Sequence, residues 1–228
     1  MMGDERREQQ MVDEKALAFF GAITASVTHE LNNVMAIIEQ VNGLLEDLVA
    51  GAQGGGTIAP DKIANIQARI AKQVDRGVGI IKRLNAFAHG VDEPVKSFDL
   101  SSLLTDLTAL CERFAMLRKQ KLEFQAPAGA VMVRNSLYHV ELATYLSLKL
   151  VMEAVAAEGV ISLSVKELET GAQIVISGAP AAESKNDQAQ LTELQAVVGS
   201  VRGRLTRIRD EHAVHLELIV PQISSEEQ

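Results

Sequence analysis

The chain has 228 residues, 47% hydrophobic and 23% charged, with a net charge of −8, enough for one large or two small globular cores. Its acidic balance, absent tryptophan and 4% aromatic content, with no basic stripe, argue against nucleic acid or an anionic membrane as the partner. No apolar run approaches the ~20 residues that cross a bilayer, Met1 to Gln10 is charged rather than signal-like, and Cys111 is the sole cysteine, so a cytoplasmic location is expected.

Residues 1–13 read as a polar tail, frayed or extending the helix that follows. From Glu14 to Ala50 there is no proline. Phe20, Val27, Val34, Val41 and Leu48 recur at a seven-residue step. Ile23, Ile37 and Leu44, then Leu31, Ile38 and Leu45, widen that seam into the stripe of a bundle helix. Gly51 to Ala59 breaks the helix, and Pro60-Asp61 starts a second with proline in its first turn. That helix carries Ile63, Ile66, Ile70, Val74, Ile81, Leu84 and Ala88 and ends near His89-Gly90. Residues 14–92 therefore form an antiparallel hairpin. One hairpin cannot bury both stripes, so two copies are expected to pair as a dimeric four-helix bundle.

Val91 to Lys96, with Pro94, reads as a linker. Residues 97–222 change pattern. Phe98-Asp99-Leu100-Ser101-Ser102 caps a helix reaching Arg118. Strands are expected at Leu122–Gln125, Val131–Arg134, Val160–Glu167, Gln173–Ser177, Arg204–Arg209 and Val214–Val220. Helices are expected at Ser136–Ala157 and Asp187–Val201. Strand pairs alternating with helices imply an α/β sandwich with helices on one face of a sheet. Residues 223–228 are a tail.

The chemistry gathers at His29-Glu30-Leu31-Asn32-Asn33. His29 lies two residues past Val27, about 200° round the helix, and so faces outward. An exposed imidazole on a rigid helix suits in-line attack on a phosphorus centre. Glu30 is placed to hydrogen-bond a ring nitrogen and fix the tautomer. Asn33, one turn on, is placed to orient a water, and Asn32 flanks the patch. A lone exposed histidine is more often simply solvated. A zinc-protease reading fails because Asn33 stands where a second histidine is required. His89, His139, His212 and His215 have no ligand-like spacing with His29.

Phe20 to Leu48 resembles the dimerisation and phosphotransfer helix of sensor histidine kinases, whose H-box reads His-Glu-Leu/Phe-Asn/Arg-Asn/Thr-Pro-Leu. The match is His29-Glu30-Leu31-Asn32-Asn33, with Val34 in place of the usual proline. The run Arg76 to Ala88 is similar to the end of that family's second helix, and the order of elements after Asp99 is similar to its ATP-binding domain. The family's nucleotide motifs are replaced. Leu150 stands for the magnesium-binding asparagine in Leu150-Val151-Met152-Glu153-Ala154. Ser177-Gly178-Ala179-Pro180 lacks the adenine-reading aspartate. No glycine-rich lid precedes Leu194-Gln195-Ala196-Val197-Val198. Without those oxygens and backbone amides, ATP has no holder.

The resemblance thus implies a phosphotransfer hairpin followed by a degenerate ATPase-like sandwich. Its function would be a histidine phosphotransferase shuttling a phosphoryl group between receiver-domain aspartates through His29. No cofactor would be bound by this chain; Mg²⁺ belongs to the response-regulator receiver. A receiver helix is expected against Ala36 and Glu39, with Val78 and Lys82 opposite. The alternatives are a divergent histidine autokinase and a non-catalytic dimeric adaptor or phosphatase acting on a response regulator.

Overall fold

The structure is a computed structural model describing residues 2–181, 188–209 and 213–223. It divides into two compact units, Thr24–Ala88 and Met1–Ile23 with His89–Gln228. These bounds differ from the expected 14–92 and 97–222: the residues before Thr24 belong with the sandwich.

The hairpin is built from α1 (Met2–Gln53) and α2 (Pro60–Ala88). The polar start of the chain is the extension of α1 rather than a frayed tail. Hydrogen bonds one turn apart, Gln9 to Asp13 at 2.9 Å and Gln10 to Glu14 at 3.0 Å, support its polar face. Within the hairpin unit Val27, Val34, Val41, Ile66, Ile80 and Phe87 are buried. The helices approach closely at Gly77, where an added Cβ would lie 3.4 Å from Val34 Cγ1.

The expected seam needs one correction at its start. Phe20 is 39% exposed, whereas Phe19 is 1% exposed. The cause is that this part of α1 packs in the sandwich unit, whose buried positions are Val12, Phe19 and Ile23. Elsewhere the seam is only half covered by one chain: Leu44, Ile63, Val74 and Ile81 are exposed, joined by Met35 and Val78.

In the other unit a single 3-10 turn, His89–Val91, precedes β1 (Lys96–Asp99), α3 (Leu100–Leu117), β2 (Lys121–Gln125), β3 (Met132–Asn135) and α4 (Leu137–Ala154). There follow β4 (Val160–Leu168), β5 (Gly171–Gly178), α5 (Gln188–Ser200), β6 (Arg204–Arg209) and β7 (Val214–Pro221). Five strands form one sheet in the order β2-β4-β5-β7-β6. β2 runs parallel to β4 and the other pairs are antiparallel. In β4, β5 and β7 alternate residues are buried, as with Ile161, Leu163 and Val165, or Val214, Leu216, Leu218 and Val220. That alternation marks a sheet with one covered face. The β4–β5 turn closes on Gly171 at φ +151°, where a Cβ would collide with the carbonyl of Val220, so only glycine fits.

β1 replaces part of the expected linker. It pairs antiparallel with β3 as a separate two-stranded ribbon. Asp99 both ends that strand and caps α3, its carboxylate accepting from the backbone N–H of Ser101 (3.0 Å), Ser102 (3.3 Å) and Val131 (3.0 Å). Burial pushes this carboxyl up, but the bonds from Ser102, Ser101 and Val131 outweigh it and hold it below the usual range. No helix among the described residues is long and apolar enough to cross a membrane.

Candidate functional site

His29 is exposed in the middle of α1, well inside a helix with no break on either side. Asn33 is exposed one turn along, and its Nδ2 lies 3.2 Å from His29 Nδ1. The structure thus brings these two site residues together directly. Glu30 is half-buried and turned toward α2, where its Oε2 stands 3.8 Å from Arg76 Nη2. A pair this long, with half-exposed Arg76, contributes under about 1 kcal/mol. Asn32, Ala36 and Glu39 are all exposed on α1.

Arg76 is the residue that sequence reasoning passed over. It appeared only as the first residue of a family-like run. The signal was its neighbour Gly77: a residue without a side chain lets α2 approach α1 at Val34 and delivers the adjacent arginine to Glu30.

The expected docking residues Val78 and Lys82 do not lie level with Ala36 and Glu39. Val34 meets Gly77, so in the antiparallel register Lys82 stands near the level of His29 and Val78 near Asn33, while the long Arg76 side chain reaches Glu30 obliquely. Glu39 is ten residues beyond His29, about 15 Å along the axis. The antiparallel register accounts for the displacement. Val78 is 46% exposed and shares the apolar strip of Val74 and Ile81.

Two other histidines have partners of their own. His89 Nδ1 lies 2.7 Å from Asp92 Oδ2, and His139 Nδ1 lies 2.8 Å from Ser136 Oγ. Burial lowers the His139 pKa, against an opposing pull from Asp13. His212 lies outside the described residues.

In the sandwich unit, Leu150 is 3% exposed and lines a cleft of about 200 Å³ shared by α1, α4 and α5. That is below the ~300 Å³ at which small-molecule sites begin. Phe19 enters it, stacked on Tyr145 with ring centroids 4.6 Å apart. Lys15 pairs with Glu193 at 2.7 Å across it, and Gln190 Nε2 donates to Glu153 Oε2 at 2.7 Å nearby. The polar groups around Leu150 are therefore engaged with one another. Leu150 offers no oxygen at the position where the resemblance expects a magnesium ligand. The residues present do not fit a metal–nucleotide complex.

No family model and no curated protein sequence matches the chain. Solved structures do. The catalytic domain of histidine kinase ThkA aligns over 58% of this chain and 100% of its own, at 12% identity and a TM-score of 0.50. A histidine kinase from Burkholderia phymatum aligns over 87% of this chain and 98% of its own, at 13% identity and a TM-score of 0.50. The chain has a histidine-kinase-like fold.

Proposed function

We propose that the protein is a histidine phosphotransferase of a two-component phosphorelay, passing a phosphoryl group between receiver-domain aspartates through His29 without using ATP. The observation that carries this reading is the contrast between the two units. His29 is exposed with Asn33 at its ring, while the sandwich's Leu150 is buried in a cleft occupied by Phe19.

In this mechanism a phosphorylated receiver, carrying its own Mg²⁺, docks over His29. The ring's unprotonated nitrogen attacks phosphorus in line as the P–O bond to the aspartate breaks, its electron pair returning to the carboxylate. Reversal onto a second receiver completes the shuttle. Glu30 and Asn33 orient the ring, and Asn32, Ala36, Glu39, Val78 and Lys82 are candidates for the docking surface. Two chains pair along the exposed apolar strip of α1 and α2 as a four-helix bundle, covering Val74 and Ile81.

The contact between Asn33 and His29 also favours a companion activity. The same amide can hold a water against a docked phosphoaspartate, which would make the protein a phosphatase for its receivers.

The test is incubation with radiolabelled ATP, and separately with a labelled phosphorylated receiver, comparing the protein with His29→Ala. Label from the receiver alone, lost in the variant, is the expected result. Label from ATP alone would reveal an autokinase. No label from receivers of the same cell would leave an adaptor.

A further inference from the structure

We infer that Arg76 is a phosphoryl-binding residue of the His29 site, its guanidinium exchanging Glu30 for the phosphoryl oxygens as they arrive on the ring. This rests on the reading of His29 as a phosphoryl carrier and names a group that stabilises the transferred charge.

The geometry carries the inference in three steps. His29 and Asn33 lie about 40° apart round α1, and Glu30 about 60° beyond Asn33 on the same side. Glu30 is the member of this arc nearest α2, and Asn33 lies between it and the outward-facing His29. Arg76 reaches Glu30 from the second helix, where Gly77 lets the backbones close on Val34. It is a cation that the structure places beside Glu30, the phosphoacceptor's chain neighbour.

Its present engagement is also weak. The guanidinium has five N–H donors, yet it meets Glu30 only at 3.8 Å and is half-exposed. A charge-assisted bond would be about 2.7–2.9 Å. A doubly charged phosphoryl group on His29 changes the balance. It repels the Glu30 carboxylate and offers three equatorial oxygens to a planar fork that matches them bidentately. In the transition state, where charge spreads over those oxygens, the same contact lowers the barrier.

The step balances without a further reactant. The ring nitrogen's lone pair forms the N–P bond, the aspartyl P–O bond breaks toward the carboxylate, and Arg76 stays protonated throughout.

The test uses phosphoramidate as well as a phosphorylated receiver, because the small donor loads a histidine without any docking surface, ammonia leaving with the P–N pair. Phosphohistidine is followed by ³¹P NMR on the full chain, with circular dichroism confirming helix content. Arg76→Ala should load His29 roughly tenfold more slowly from either donor and shift the receiver equilibrium away from phosphohistidine. Arg76→Lys, a point charge without the fork, should recover part of the rate. The loss should persist in a Glu30→Gln background. Loading of Arg76→Ala at the parental rate would overturn the inference. So would a loss that vanishes with Glu30→Gln, since Arg76 would then only hold Glu30 in place. Either result leaves the carrier role of His29 standing. A parental protein that neither donor loads would sink both.

Discussion

Asn33 Nδ2 and His29 Nδ1 stand 3.2 Å apart across one turn of α1, so the orientation of this amide bears on which ring nitrogen keeps a lone pair. With the Nδ2 side inward, Nδ1 accepts and the neutral ring holds its proton on Nε2. With Oδ1 inward, Nδ1–H donates and Nε2 is free to attack. Asn33→Asp can only accept, and should fix the second arrangement, visible as an Nδ1–H ring in ¹⁵N spectra. Transfer should remain within a few-fold of the parent, while receiver dephosphorylation falls roughly tenfold or more in both Asn33→Asp and Asn33→Ala. Unchanged dephosphorylation in Asn33→Ala would remove the amide from that step.

The apolar strip of α2 predicts association. Val74, Val78 and Ile81 are 48%, 46% and 46% exposed in the single chain, and fall on one face at i, i+4 and i+7. Val74→Asp with Ile81→Asp places charges where a second copy would pack. Analytical ultracentrifugation should show the parent as a dimer and the double variant as a monomer. A variant still dimeric would move the interface elsewhere.

Neighbouring phenylalanines should differ sharply in their effect on stability. Phe19 is 1% exposed and stacked on Tyr145, so Phe19→Ala should cost about 3–5 kcal/mol. Phe20, at 39% exposure, should cost about 1 kcal/mol or less on truncation. Denaturant unfolding of both variants decides it; equal losses would mean that α1 packs differently here.

Glu141 predicts a pH dependence. It is 6% exposed and its Oε2 has no hydrogen-bond partner. Burial pushes its carboxyl from 4.5 up to about 8, with Lys96 pulling it back and Asp106 adding to the rise. Between those values the folded protein binds more protons at this site than the unfolded chain, so stability falls as pH rises through that window. Glu141→Gln should flatten the fall, raising the melting temperature at about pH 8 relative to the parent while leaving about pH 4.5 nearly unchanged. Parallel pH profiles for parent and variant would show Glu141 to be paired.

Much of the sandwich was legible because its strands alternate cleanly and its turns carry their own chemistry. β6 occupies the expected Arg204–Arg209, and α5 and β7 differ from expectation by a residue at their ends. β1 was not legible: four residues are too few for a period, and Lys96–Asp99 is a strand because β3 lies beside it. The exposed position of His29 followed from the heptad. So did its neighbour Asn33, but the Glu30–Arg76 pair did not, because Arg76 lies on another helix. The register joining the two is set by where backbones touch, not by spacing along either one. Phe20 was misread for a similar reason: a seam counted back from Val27 continues to it, while packing inside the sandwich selects Phe19, the residue before it.

Leu150 carries a consequence for how this protein could change. Its side chain is 3% exposed beside the cleft that Phe19 also lines. Replacing it with asparagine would not recreate a magnesium site: the new amide would be buried without a partner, destabilising by about 1–3 kcal/mol. Space for a nucleotide would also require Phe19 to leave and the Lys15–Glu193 pair to open. Each first step toward a nucleotide site would therefore carry a cost in packing before it brought any gain in binding.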